Sequence, residues 1–202
     1  MGLPCQLVSW DEFAELARTL GRMIAESGFR PDMIVAIVRG GLVPARVLSD
    51  RLDVFDLATV KIEHYRGAHK SREARIRYAL NARVDRRRVL VVDDVSDSGD
   101  TFEVALSHVR EHGTPAALKT AVLHHKRASR FVPDYFAGEV VEWRWIIYPW
   151  AVMEDLRSFV ADMTPGPDSV VSLAARLRDE YGLSVPHSVL ADVLRLPPDV
   201  AY

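Results

Sequence analysis

Apolar residues recur at helical spacing in the first part of the chain, behind the pattern of a capping box at residues 9–12. They predict an amphipathic helix that ends near Gly28. The β-branched run at residues 33–38 is typical of a strand buried in a parallel sheet, and it precedes the turn Arg39-Gly40-Gly41 and helical spacing at residues 43–52. This part of the chain therefore predicts the order helix, strand, glycine turn, helix.

The same order returns further along the chain. Residues 89–92 form the strongest buried-strand signal, and a polar turn separates them from a predicted helix at residues 101–112, which Gly113 ends. Further strands are predicted at residues 57–62, 75–80, 119–123, 135–141 and 143–148. Because strands alternate with helices, we expect an α/β fold with a mainly parallel sheet.

Three polar regions interrupt this order. Residues 63–74 contain Gly67 and predict a mobile loop. The arginines at residues 86–88 are interpreted as a solvated turn rather than a nucleic-acid site. Residues 164–167 predict a linker before a small helical hairpin, whose first helix ends at Gly182.

Composition narrows the class of protein. The 202 residues are 49% hydrophobic and 27% charged, with a formal net charge of -2, as in an ordinary folded domain. This charge provides no general attraction to nucleic acid or to an anionic membrane, so we expect neither partner, and any anion site must be local. The single cysteine, Cys5, excludes an intramolecular disulfide. With no apolar stretch of membrane length, these features predict a cytoplasmic protein.

The chemistry concentrates directly after the strongest strand, where two acids, Asp93 and Asp94, follow one another. Open α/β sheets bind their ligands at this end of the strands. A short turn then enters a helix, so the backbone N–H groups of residues 97–101 converge at the positive end of a helix dipole. Ser98 and Thr101 add hydroxyl donors. This arrangement predicts a phosphate cradle, and it differs from a nucleotide P-loop because it lacks the P-loop lysine.

Carboxylates beside a phosphate cradle repel the ligand unless a diol or a divalent cation lies between them. Asp93 and Asp94 can accept hydrogen bonds from the 2′- and 3′-hydroxyls of a ribose, and they can balance Mg²⁺ held by a diphosphate. The sequence therefore predicts a phosphorylated ribose as the ligand.

This segment resembles the signature of type I phosphoribosyltransferases, in which an apolar strand and two acids precede Asp-Thr-Gly-x-Thr. Ser98 stands here in the place of the first threonine. The resemblance implies that Asp93 and Asp94 contact the ribose hydroxyls and bind magnesium, directly or through water. It also implies that Asp97 acts as general acid or base near a purine. The residues it assigns to the 5′-phosphate are Asp97, Ser98, Gly99, Asp100 and Thr101.

Two further loops resemble parts of the same family. The turn Arg39-Gly40-Gly41 is similar to its pyrophosphate loop, where glycine lets the backbone approach an anion. Residues 64–70 are similar to its flexible lid, in which Tyr65 and Arg66 are candidate ligands of pyrophosphate.

The base site is expected after the strand at residues 119–123, in a region similar to microbial hypoxanthine and xanthine–guanine phosphoribosyltransferases. The resemblance implies that Lys126 donates to a purine 6-oxo group, that Trp145 stacks on the base and that Ile146 offers backbone contacts. Relatives have an acid where this chain has Ala151. Because that acid would serve the purine 2-position, hypoxanthine is favoured over xanthine and guanine.

The expected protein is a purine phosphoribosyltransferase that joins a 6-oxopurine to the ribose of 5-phosphoribosyl 1-diphosphate (PRPP) with Mg²⁺. The alternatives left open are a regulatory protein that senses PRPP and a transferase for a different base. The resemblance implies a five-stranded, mostly parallel sheet with a small hood, and a homodimer or homotetramer. We expect a catalytic domain at residues 1–160 and a C-terminal helical extension at residues 161–202.

Overall fold

The computed structural model describes residues 2–66 and 72–195. Its strands are β1 (Cys5–Leu7), β2 (Met33–Val38), β3 (Leu57–Arg66), β4 (Arg72–Tyr78), β5 (Arg88–Ser96), β6 (Ala117–Lys126), β7 (Tyr135–Val140) and β8 (Trp145–Ile147). Its helices are α1 (Trp10–Glu26), α2 (Leu42–Leu52), α3 (Asp100–Glu111), α4 (Val152–Asp162), α5 (Val170–Tyr181) and α6 (His187–Arg195).

Six strands form the main sheet, in the order β4-β3-β2-β5-β6-β7. All neighbouring pairs are parallel except β3 and β4, which are antiparallel. The predicted α/β fold with a mainly parallel sheet is confirmed, but the expected count of five strands was wrong because β4 and β7 both extend the sheet at its edges. Parallel strands end at the same edge, so the turns after β2, β5 and β6 lie side by side.

The central strands are buried along their whole apolar runs. The four residues 89–92 of β5 have no solvent exposure, and β2 is buried from Met33 to Ile37. α2 packs against both strands, while α3 contributes Phe102 and Val109 to the core of the sheet. Burial on both faces explains why these strands read as continuous β-branched runs rather than as alternating patterns.

Two helix ends have the hydrogen bonds and the backbone conformation that the sequence predicted. The Ser9 hydroxyl oxygen accepts a hydrogen bond from the Glu12 backbone N–H at 3.1 Å, and the Ser9 N–H donates to the Glu12 carboxylate at 2.7 Å, which confirms the capping box. Gly182 closes α5 with a left-handed φ of 69°.

The helix α4 was not predicted, although Glu154 and Asp155 occupy its first turn. Within the part of the chain that the structure describes, no helix combines the length and the apolar character needed to span a bilayer.

The predicted loop at residues 63–74 was wrong at both of its ends. β3 continues to Arg66, β4 begins at Arg72, and the two strands form an antiparallel hairpin in which Glu63 pairs with Arg75. Polar side chains suit this outer part of the hairpin, where backbone hydrogen bonds pair the strands, whereas Ala58, Val60 and Ile62 of β3 are buried in the core. Residues 67–71, and the side chains of residues 64–66, lie outside the described part of the structure.

Arg87 and Arg88, at the start of β5, form ion pairs with acids that precede two neighbouring strands. Arg87 pairs with Asp56, directly before β3, and the Arg88 guanidinium lies 2.5 Å from Asp32, directly before β2. Hydrogen bonds from the Arg88 side chain and backbone lower the pKa of Asp32 to about 2. These ion pairs occupy the edge of the sheet opposite Asp93 and Asp94.

The chain divides into two units. One unit, Phe13–Glu142, contains the six-stranded sheet. The other combines the N-terminal residues through Glu12 with the residues from Trp143 onward, and in it β1 pairs in parallel with β8. The helices α4, α5 and α6 share the core of this second unit. The expected boundary between residues 160 and 161 stays a prediction.

Candidate active site

Two acids lie in the last part of the central strand β5. The sequence predicted this strand to end at Val92, whereas it continues through Asp93 and Asp94 to Ser96. Asp93 is only 8% exposed, and Asp94 is half-buried. β5 therefore delivers both carboxylates to the ligand-binding edge of the sheet from a rigid, buried position.

The surroundings of Asp93 disfavour the charged form of its carboxyl group. Burial raises its pKa well above the usual range, and the neighbouring negative charge of Asp94 raises it further. Hydrogen bonds from the backbone of Asp94, at 3.0 Å, and from Gly41 oppose this shift only in part. A buried acid held against these forces is typical of a site that binds polar groups of a ligand.

We expect Asp93→Asn to raise the thermal stability of the protein at neutral pH. Since the pKa of Asp93 is higher in the folded chain than in the unfolded chain, the folded chain holds the proton more tightly, and stability falls as the pH rises above about 4. Asparagine has no charge to bury, so its advantage should be large near pH 8 and small near pH 3.5. Thermal unfolding of both proteins at the two pH values tests this, and an equal gain at both would contradict it.

The turn Arg39-Gly40-Gly41 packs directly against the end of β5. A Cβ atom on Gly40 would lie 2.7 Å from Asp94 Oδ1, and a Cβ on Gly41 would lie 2.9 Å from the Cα of Asp93. The glycines thus allow the turn to touch the acidic strand tip, in addition to the approach to an anion that the sequence suggested. The peptide bond between Val38 and Arg39 is cis, and the Arg39 side chain is exposed.

The predicted phosphate cradle is the entry into α3. Gly99 precedes the helix with a φ of +98°, a conformation that favours glycine, and the Ser98 hydroxyl oxygen accepts a long hydrogen bond of 3.4 Å from the Asp100 backbone N–H. The first backbone N–H groups of a helix have no acceptor within it and carry its positive dipole end. A ligand phosphate at residues 97–101 would satisfy them.

Asp97 and Lys126 form an ion pair at the tips of neighbouring strands. Lys126 is the last residue of β6, its side chain is 3% exposed, and its Nζ donates to Asp97 Oδ2 at 2.8 Å. The register explains the contact, because Ser96 of β5 pairs with His125 of β6 one residue earlier. The sequence assigned these two residues to separate tasks, whereas the structure brings them together.

The segment after β6 braces the cradle, and sequence reasoning missed it. The Ser96 hydroxyl lies 2.8 Å from the Ser129 hydroxyl, and the Arg130 backbone N–H donates to the Ser98 carbonyl oxygen at 3.1 Å. The ring of Phe131 stacks on Phe102 at 4.9 Å. Strand order was the missing information, since β5 and β6 are neighbours and their following loops must meet.

The predicted base-binding residues of β8 do not belong to the unit that contains the six-stranded sheet. Trp145 and Ile146 belong to β8 in the second unit, where they pair with Cys5 and Gln6 of β1. The Nε1 of Trp145 is buried without a hydrogen-bond acceptor among the described residues. The side chains of Tyr65 and Arg66 lie outside the described part of the structure.

Comparisons with known proteins identify the family to which the chain belongs. The sequence profile of a family described as phosphoribosyl transferase domain matches residues 6–155. The chain is 32% identical over 143 residues to a xanthine-guanine phosphoribosyltransferase of Desulfotalea psychrophila, an alignment that covers 71% of this chain and 84% of that one. A protein of the same name from Cereibacter sphaeroides is 32% identical over 151 residues, with coverage of 71% and 84%.

Among solved structures, the chain resembles a purine phosphoribosyltransferase from Pyrococcus horikoshii. The TM-score is 0.65 at 30% sequence identity, over 73% of this chain and 94% of the other. The chain therefore belongs to the phosphoribosyl transferase family, and its resemblance to type I phosphoribosyltransferases is confirmed. It is an enzyme of that class.

Proposed function

We propose that this enzyme transfers the 5-phosphoribosyl group of PRPP to a 6-oxopurine and releases pyrophosphate. Hypoxanthine is the favoured base, and xanthine and guanine are further candidates. The observation that carries this proposal is the Lys126–Asp97 pair at 2.8 Å, set beside the acids of β5 and the cradle at α3. The relatives named above as xanthine-guanine and purine phosphoribosyltransferases support it.

The purine edge matches the pair chemically. In a 6-oxopurine the carbonyl O6 and the imidazole N7 lie next to each other, so an ammonium and a carboxylate in contact can serve both atoms. Lys126 donates to O6, while Asp97 accepts the N7 proton and assists its removal as N9 attacks the anomeric carbon. In adenine an amino group replaces O6, and a donor would then face a donor.

The acids and the two glycine turns hold the sugar diphosphate. Asp93 and Asp94 accept from the ribose hydroxyls, residues 97–101 bind the 5′-phosphate, and Arg39-Gly40-Gly41 receives the pyrophosphate. Fixing both phosphoryl ends orients the anomeric carbon toward the base, which removes entropy from the reaction before the chemical step. Tyr65 and Arg66 at the pyrophosphate, and Trp145 and Ile146 at the base, stay predictions.

The residues present fit magnesium brought in with the diphosphate. Mg²⁺ prefers oxygen ligands, keeps several waters, and commonly binds through one or two carboxylates plus substrate phosphates. Asp93 and Asp94 provide that number of carboxylates, and the described residues contain no group of three or more metal-ligating side chains. When bound, Mg²⁺ neutralises charge on the departing pyrophosphate.

A panel of bases tests the proposal. We expect pyrophosphate release from PRPP and Mg²⁺ with hypoxanthine, and a rate with adenine at least about a hundredfold lower, because the amino group of adenine would face the Lys126 ammonium with a donor where hypoxanthine presents the O6 acceptor. Comparable rates with adenine or a pyrimidine would contradict the 6-oxopurine assignment. If no base led to pyrophosphate release while PRPP still bound, the result would favour a regulatory protein that senses PRPP.

Two properties of the protein in solution complete the proposal. By analogy with the family, the enzyme forms a homodimer or homotetramer in the cytoplasm. Sedimentation equilibrium measures the assembly directly, and a monomer at micromolar concentration would contradict the analogy.

A further inference from the structure

The proposed phosphate cradle contains an acid whose negative charge opposes the binding of a phosphate. Asp100 is the first residue of α3, among the backbone N–H groups that would bind a phosphate. Its Oδ2 accepts a hydrogen bond from the Ser98 hydroxyl at 3.0 Å, so the carboxylate engages a hydroxyl donor of the cradle itself. A carboxylate at this position competes with a phosphate dianion for the same donor and also repels it.

One cation lies directly on this acid. The Arg130 guanidinium forms an ion pair with Asp100 Oδ1, and the Arg130 backbone N–H donates to the Ser98 carbonyl oxygen at 3.1 Å. Arg130 is thus attached to the cradle by its main chain as well as by its side chain. The Arg130 side chain is 68% exposed and the Asp100 side chain 29% exposed, so water screens much of the pair, and pairs screened in this way contribute little to folding stability. Its effect is therefore expected on the charge of the cradle rather than on the fold.

We propose that Arg130 is a positioning residue for the 5′-phosphate, and this inference rests on the proposed phosphoribosyl transfer. Arg130 neutralises Asp100 and gives its carboxylate a partner other than Ser98. When the phosphate arrives, the Ser98 hydroxyl turns from Asp100 to the ligand, and Asp100 stays paired with Arg130. Without the guanidinium, Asp100 keeps the hydroxyl and presents an uncompensated charge to the phosphate.

A double-mutant cycle tests this coupling. Arg130→Ala should raise the KM for PRPP about tenfold and change kcat by less than about twofold, because the lost interaction concerns binding of a remote phosphate. Asp100→Asn removes the charge that Arg130 compensates, so the double variant should have a KM within about threefold of the wild type. A tenfold coupling corresponds to about 1.4 kcal/mol.

Controls separate this role from general effects of losing an arginine. Arg127 lies in the same segment and pairs with Glu139 at 2.7 Å, so Arg127→Ala removes a similar exposed ion pair and should leave the KM for PRPP unchanged. Arg130→Lys should keep most of the wild-type affinity. Inhibition by inorganic pyrophosphate should not change in Arg130→Ala, whereas inhibition by a nucleoside 5′-monophosphate should weaken.

The outcomes distinguish this inference from the proposed function. An active wild-type enzyme in which Arg130→Ala has the same effect with and without Asp100 would overturn the inference alone. If the wild type transfers the sugar to no base, the proposed function fails, and the same cycle is then measured as PRPP affinity by calorimetry. Additive losses of that affinity would overturn the inference as well.

Discussion

Replacing Asp97 by asparagine is expected to lower kcat by a factor of about 10²–10⁴ and to leave the affinity for PRPP nearly intact. Asp97 Oδ2 accepts from Lys126 Nζ at 2.8 Å, and an asparagine oxygen can accept the same bond. The variant should therefore keep Lys126 in place but lose the group that takes a proton from the purine. Its backbone N–H in the cradle is also unchanged, which is why PRPP binding should survive.

Single-turnover rates and calorimetric titration with PRPP separate these two effects. A control is Asp134→Asn, because Asp134 also pairs with a lysine of β6, Lys119, at 2.6 Å but at the start of the strand. That variant should lose stability without losing the chemical step. A large loss of PRPP affinity in Asp97→Asn would contradict the assignment of Asp97 to the base.

Gly41→Ala is expected to damage both the fold and the site. The three atoms nearest to the added Cβ would all be backbone atoms of the sheet, among them Ile37 O at 2.6 Å and Asp93 Cα at 2.9 Å. Backbone in the middle of a sheet cannot move aside cheaply, and overpacking of this kind typically costs about 1–3 kcal/mol. Displacement of the turn should also raise the KM for PRPP, since the proposed pyrophosphate site moves away from Asp93. Chemical denaturation and steady-state kinetics on the same preparation measure the two losses.

Gly40→Ala should reduce activity more than stability. Its Cβ would meet the Asp94 carboxylate, the end of a side chain that can rotate, so we expect a smaller loss of stability but a clear loss of activity. Gly166→Ala is the matched control, because nothing lies within 4 Å of its added Cβ. Unchanged activity in Gly40→Ala, or a wild-type unfolding midpoint in Gly41→Ala, would count against the close contact between the turn and β5.

The proposed active site is built from the ends of three adjacent strands and the short segments after them, which brings its charged groups close together. Three acids, Asp93, Asp94 and Asp97, lie at the end of β5 or directly after it. The turn after β2 and the end of β6 with its following loop contribute glycines and cations. Lys126 compensates the charge of Asp97, and Arg130 compensates the charge of a fourth acid, Asp100, at the start of α3. Of these four acids, Asp97 and Asp100 are paired with cations, and burial raises the pKa of Asp93, which together lessen the repulsion of a negatively charged sugar diphosphate.

Local patterns determined much of the fold in advance. The run at Met33–Val38 predicted β2 with the bounds that it has, because a strand buried on both faces needs an unbroken apolar run. The capping box at Ser9 and the left-handed Gly182 marked helix ends, since each satisfies backbone groups within a few residues. The segment from Asp93 to Thr101 predicted the chemistry for the same reason: a strand, a turn and a helix start that are contiguous in sequence must also be contiguous in space.

Only the tertiary structure decided which distant groups meet. Asp97 and Lys126 are 29 residues apart and touch because β5 and β6 are neighbours in register, and Arg130 reaches Asp100 across the same boundary. The extension of β3 to Arg66 and the start of β4 at Arg72 depended likewise on backbone pairing, which their polar sequence did not reveal. Pairing also decided that the strands predicted at residues 75–80 and 135–141 both join the same sheet. Secondary-structure propensity and hydrophobic periodicity act over a few residues, whereas the packing of the whole sheet sets the strand order and the side-chain pairs. The local sequence therefore predicted the segments of the proposed site, and the tertiary structure determined which of their side chains meet.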